Sequence, residues 1–134
     1  QPILDAFNEN GWTFVIGTEY LSDLSRKLGV NCIGVAAYTE KRIYVSEASA
    51  VLHEFGHFLD CTMGFPQAHK DLYALEAAFA PMKQHAKSSS LEYFAEFFSY
   101  WLSGSTRTLA QLKELTPETY AYFEELSADW IPLA

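Results

Sequence analysis

Arg42-Ile43-Tyr44-Val45-Ser46-Glu47-Ala48-Ser49-Ala50-Val51-Leu52-His53-Glu54-Phe55-Gly56-His57-Phe58-Leu59-Asp60 carries the change of period on which the fold turns. From Arg42 to Ser46 the pattern alternates as in a strand, and the charge at its start suits the edge of a sheet. After Ser46 the period becomes helical and stays so, roughly over 47–63, 68–86, 89–103, 106–114 and 117–129. Upstream, Trp12 to Gly17 is β-branched and aromatic and reads as a strand. Tyr20, Leu21, Leu24 and Leu28 then recur at helical spacing before Gly29. Ile33 to Tyr38 is a further strand, joined to Arg42–Ser46 through Thr39-Glu40-Lys41 as a hairpin. Strands followed by helices imply an α+β fold, with a small N-terminal sheet whose edge is 42–46 and a mostly helical C-terminal lobe. Ser88-Ser89-Ser90 offers an N-cap to the helix that opens near Leu91.

The chain has 134 residues, 49% of them apolar, which is the size of one domain with its own core, so residues 1–134 are expected to form a single domain. Aromatic residues run from Phe7 to Trp130, so both ends are expected to pack. With 17 acidic against 9 basic residues the net charge is −8, and no Lys/Arg cluster could follow a phosphate backbone. Nucleic-acid binding is not expected. Apolar runs are far shorter than the roughly 20 residues that cross a bilayer, so a soluble monomer without a membrane segment is expected. A removed leader or further domain would account for an opening at Gln1. Cys32 and Cys61 are compatible with one disulfide or with two buried thiols.

His53 and His57 stand four residues apart on the expected helix, so both rings project from one face and can grip one ion. Glu54, one step round the helix, can reach a water at that ion, as a general base must. Two core histidines on a packed helix are the plainer alternative. It is weak here, because the positions around them are almost all apolar and buried charges need partners or a metal. A third ligand is available in Leu91-Glu92-Tyr93-Phe94-Ala95-Glu96-Phe97-Phe98, where Glu92 and Glu96 share a face. Glu92 is taken as the ligand and Glu96 as the support of a ligating imidazole. Asp60, a turn beyond His57, could orient an imidazole or simply lie on the helix surface. Gly56 lowers helix stability, which suggests close approach of another element, the Glu92 helix being the obvious one.

These residues resemble the metallopeptidase domain of anthrax toxin lethal factor and its relatives, which include secreted Pro-Pro endopeptidases. The resemblance rests on Leu52-His53-Glu54-Phe55-Gly56-His57 with Asp60, on Glu92-Tyr93-Phe94-Ala95-Glu96-Phe97-Phe98, and more weakly on Leu115-Thr116-Pro117-Glu118-Thr119-Tyr120. It spans residues 52–120, about half of the chain. It implies a minimal zincin-like domain, a Zn2+ ion on His53, His57 and Glu92, Glu54 as base in a zinc-dependent endopeptidase, and a secreted, toxin-like protein. The family pattern has a tyrosine seven residues before the glutamate ligand, where it would stabilise an oxyanion. Here that position is His85. An imidazole can supply the same hydrogen bond, and an exposed loop histidine is the alternative. A peptide or protein substrate is expected to lie extended along strand 42–46. A zinc-bound, non-catalytic peptide-binding domain is the second reading, and a metal-free helical protein the third.

Overall fold

The computed structural model describes residues 2–16, 34–45 and 50–128. The helix expected around Tyr20 to Leu28, the segment Ser46–Ser49 and Cys32 fall outside the described residues, and with Cys32 falls the question of its pairing with Cys61. The fold is α+β: a short helix α1 (Pro2–Glu9), strands β1 (Thr13–Ile16), β2 (Gly34–Ala37) and β3 (Arg42–Val45), then helices α2 (Val51–Thr62), α3 (Gln67–Glu76), α4 (Ser90–Ser103), α5 (Thr106–Leu115) and α6 (Pro117–Ala128). Among the described residues no helix is long and apolar enough to cross a membrane.

The sheet corrects one expectation. Its order is β1-β3-β2, so the strand at 42–46 is central and not an edge. β3 pairs in parallel with β1, Phe14 opposite Ile43, and antiparallel with β2, Ala36 opposite Ile43. The charge of Arg42 marks the exposed end of a strand rather than an open side, and the three residues after it, Ile43, Tyr44 and Val45, are buried. Among the described strands the edges are β1 and β2.

Helix α1 was not legible, being only eight residues long, but it begins with proline, whose fixed φ suits a first helical position. Its Phe7 stacks on Phe14 and Phe55 and meets Phe58 edge-on, which closes the sheet onto α2. The expected helix 68–86 is broken. Ala80 is extended, as the residue before a proline tends to be, and Pro81 cannot sit inside a helix. Two 3-10 turns, Ala77–Phe79 and Gln84–Lys87, take its place. Helix α2 stops at Gly64, whose φ of +80° leaves the helical region.

Helices α2 and α4 pack face to face between the sheet and α6. On the outer side of α4, Phe97 stacks on Phe123 of α6 at 4.7 Å, both fully buried, and each such ring contributes roughly 1.5–3 kcal/mol by leaving water. Gly56 marks the closest approach of the pair: a Cβ there would stand 2.7 Å from Ala95 Cα and 3.0 Å from its carbonyl oxygen. Those atoms are backbone and cannot step aside. Gly56→Ala is therefore expected to destabilise the protein by about 1–2 kcal/mol, overpacking outweighing the better helix propensity of alanine. Chemical denaturation checks this, and a neutral or stabilising result would mean that the two helices separate freely.

Candidate metal centre

Ser89 caps α4 with its hydroxyl, accepting from the backbone N–H of Glu92 at 3.2 Å, as the serine run suggested. This fixes the first turn of α4, where a carboxylate also meets the positive end of the helix dipole. Across the Gly56 contact, α2 turns His53 and His57 toward it. Nε2 of His53 lies 2.8 Å and Nε2 of His57 3.4 Å from the two oxygens of Glu92. Among the described residues His53, His57 and Glu92 offer ligand atoms that all lie within 4.8 Å of one another, a group that could hold a metal ion.

Both Nε2 atoms thus face the cluster, and both Nδ1 atoms have partners behind them. His53 Nδ1 is 3.5 Å from Glu96 Oε1, and His57 Nδ1 is 3.1 Å from Tyr38 Oη. Outer partners of this kind set the tautomer and orientation of a ligating imidazole. Burial alone would lower the pKa of His53. The hydrogen bonds to Glu92 and Glu96 and the charges of Glu54 and Glu92 outweigh it and raise the pKa to about 10. Burial likewise opposes ionisation of Glu92, but its bonds to His53 and His57 hold it well below the usual carboxylate range. Without a metal the cluster is an imidazolium held by carboxylates.

Glu54 sits beside this cluster, buried to 5% exposure, and its Oε2 has no hydrogen-bond partner among the described residues. Burial pushes its pKa up, partly offset by His57 and His53. Gly34, opening β2, leaves the room it occupies: a Cβ there would come within 3.0 Å of Glu54 Cγ and 3.1 Å of its Oε1. The donor set fits a metal of the zinc type, two imidazoles and a carboxylate with a buried, unsatisfied carboxylate oxygen alongside.

The family model described as anthrax toxin lethal factor, N- and C-terminal domain, matches residues 9–126. The chain belongs to this lethal factor family. No curated protein matches it. The match extends beyond residues 52–120, which carried the resemblance, to include β1, β2 and β3.

Of the lethal factor-like residues, His53, His57, Glu54, Glu92 and Glu96 converge. His85 joins them at the mouth: its side chain is 78% exposed, yet Nε2 lies 3.4 Å from Glu92 Oε2. Its 3-10 turn is anchored by buried Ala86, by the hydroxyl of Tyr73 donating to Lys87 O at 2.5 Å, and by Ser88 Oγ donating to His85 O at 2.6 Å. Asp60 turns away from the cluster and pairs with His69 at 2.7 Å, so it orients that imidazole and not a ligating one. The Thr116-Pro117-Glu118-Thr119 segment forms the α5–α6 corner. Its N–H groups at Glu118 and Thr119 donate to the buried carboxylate of Glu76 at 3.0 and 2.7 Å.

Tyr38 and Gly34 were not singled out from the sequence. A glycine at a strand's start is a signal of close backbone approach. Nothing in the spacing ties Tyr38 to His57, since their contact depends on how β2 lies against α2.

Two consequences are measurable. Tyr38→Phe leaves the ring in place and removes the hydrogen bond to His57, so metal affinity is expected to fall about 10-fold to 100-fold, read by competition with a chromophoric chelator. An unchanged affinity would mean that Tyr38 only packs. The raised pKa of His53 gives stability to the metal-free fold that is fully present below the ordinary histidine value and is lost as pH rises through about 10. A metal must displace that proton. Near pH 7, uptake is therefore expected to release about one proton per chain and to tighten about tenfold per pH unit, measured by calorimetry in buffers of different ionisation enthalpy.

Proposed function

We propose that the chain is a secreted, zinc-dependent endopeptidase. The observation that carries the reading is the buried Glu54 carboxylate, with one oxygen unpartnered among the described residues, set beside a two-histidine, one-glutamate cluster in a member of the lethal factor family. A structural metal site has no use for such a group. A toxin-related family supports secretion, and we take residues 1–134 to be one catalytic domain acting as a monomer.

In this reading His53, His57 and Glu92 hold zinc, with Glu96 and Tyr38 keeping the two imidazoles in register. Zinc, when bound, lowers the pKa of a water on it to about 7 and polarises the scissile carbonyl. Glu54 accepts the proton of the attacking water at Oε2, and its raised pKa makes it a better base than a solvated carboxylate. It then gives that proton to the departing amine. His85, at the mouth and held by its anchored turn, donates from its ring to the oxygen on which charge develops.

A peptide substrate would lie extended along β2, an edge of the sheet among the described strands, which packs on α2 beside Glu54. Main-chain pairing along an edge strand would accept any sequence, and Gly34, Val35, Ala36 and Ala37 carry short side chains. The net charge of −8 favours basic peptides over acidic ones.

The second reading, a zinc-bound peptide-binding domain without activity, draws on His85 standing where the family pattern has a tyrosine. Peptide-library cleavage with metal analysis separates the two. The wild type and Glu54→Gln are each expected to hold one zinc, with cleavage reduced at least a hundredfold in Glu54→Gln. His85→Ala is expected to keep its zinc and lose about 100-fold to 1000-fold in kcat. A zinc-loaded wild type that cleaves no peptide would establish the binding domain instead.

A further inference from the structure

His69 is the histidine that takes no part in the cluster, and it is buried to 3% exposure. Both ring nitrogens are engaged: Nδ1 lies 2.7 Å from Asp60 Oδ1 and Nε2 2.7 Å from Tyr122 Oη. Its face stacks on Phe94, centroids 4.0 Å apart and planes 14° from parallel. One imidazole on α3 thus touches α2 through Asp60, α4 through Phe94 and α6 through Tyr122. Asp60 is 1% exposed, and its Oδ2 is buried without a hydrogen-bond partner among the described residues.

Such a chain is an expensive way to fill a core. A buried carboxylate and imidazole are costly to take out of water, and an apolar trio of the same volume would pack as well. What an apolar trio does not do is fix direction. Hydrogen bonds from both edges of one ring do, and buried polar groups serve best where a unique geometry is needed.

The location says which geometry. Asp60 follows His57 by one turn of α2, and Phe94 follows Glu92 by two residues of α4. Along the seam between α2 and α4 lie, in order, the His53, His57 and Glu92 cluster, the backbone contact of Gly56 with Ala95 and, by way of α3, the Asp60–His69–Phe94 bridge. The middle contact sets how near the two helices come, because the facing atoms are backbone. The bridge at the far end of the seam ties both helices to one ring. Metal–ligand distances tolerate only about 0.2 Å, so a small swing is felt at the ion.

We propose that the Asp60–His69–Tyr122 chain is a positioning device for the metal centre, fixing the angle at which the helix bearing His53 and His57 meets the helix bearing Glu92, and thereby setting metal affinity and coordination geometry. The inference rests on the metal reading above. It predicts a coupling between residues that touch no ligand and the properties of the bound ion.

The test compares the wild type with Asp60→Asn, His69→Phe and Tyr122→Phe. Zinc affinity is read by chelator competition, geometry by the visible spectrum of the cobalt(II) form, and stability by denaturation with and without saturating zinc. His69→Phe keeps the stack on Phe94 and removes both hydrogen bonds. It and Asp60→Asn are expected to weaken zinc at least tenfold and to shift the cobalt bands. The stabilisation that zinc gives would shrink by about 1.4 kcal/mol per tenfold. Tyr122→Phe, the mildest change, should move affinity in the same direction by a few-fold. Lower metal-free stability with unchanged zinc affinity and cobalt spectrum would overturn the proposal and leave the chain a packing feature. Should Asp60→Asn and His69→Phe not fold, wild-type affinity and spectrum in Tyr122→Phe overturn it equally. A wild type that binds neither zinc nor cobalt contradicts the metal reading itself, a distinct result.

Discussion

The contact of Gly56 with Ala95 is the constraint from which the rest of the centre follows. Helices that meet through ordinary side chains stand 8–10 Å apart. Here one helix presents a bare backbone, and a Cβ in its place would lie 2.7 Å from Ala95 Cα. At this separation the carboxylate of Glu92 lies against two imidazoles of the opposing helix, 2.8 Å from one and 3.4 Å from the other. The glycine costs α2 up to about 1 kcal/mol in helix propensity. The aromatic packing around it offsets this, with Phe58, Phe97 and Phe98 fully buried on the same pair of helices.

Charge is arranged around that contact so that the centre tolerates burial. Glu92, Glu96 and Glu54 face His53 and His57, an excess of negative charge that a divalent ion would neutralise. The imidazolium of His53 does part of this work in the metal-free chain, which is why its pKa stands far above the ordinary histidine value. Glu54 is the group left over, buried with one oxygen unpartnered among the described residues. Its isolation from the hydrogen-bond network distinguishes it from Glu76, an equally buried carboxylate whose oxygens accept three hydrogen bonds at the start of α6. Glu76 is a helix cap, whereas Glu54 is the carboxylate that the proposed mechanism uses.

Much of this was legible in the sequence because helical spacing is local information. His53 and His57, like Glu92 and Glu96, share a helix face by arithmetic alone, and the serine run before Glu92 announced its cap. The structure sets Glu92 against both Nε2 atoms and Glu96 against His53 Nδ1. Contacts that depend on how elements pack were not legible. Tyr38 reaches His57 from the end of β2, and His69 takes Asp60 away from the cluster, pairings separated by nineteen and nine residues. Strand 42–46 was misplaced for a related reason. A charge at one end of a strand looks the same whether the strand is central or at an edge, and only its partners on both sides tell them apart. The helix expected over 68–86 is interrupted at Pro81, and His85 lies in the second of the two 3-10 turns that replace it.

The most direct measurement is anomalous diffraction at the zinc edge from crystals grown with stoichiometric zinc. The account predicts one ion per chain, bound by Nε2 of His53, Nε2 of His57 and a carboxylate oxygen of Glu92 at about 2.0–2.2 Å, with a water in the remaining position beside Glu54. Zinc closed off by a fourth protein ligand, or absent from this cluster, would contradict it.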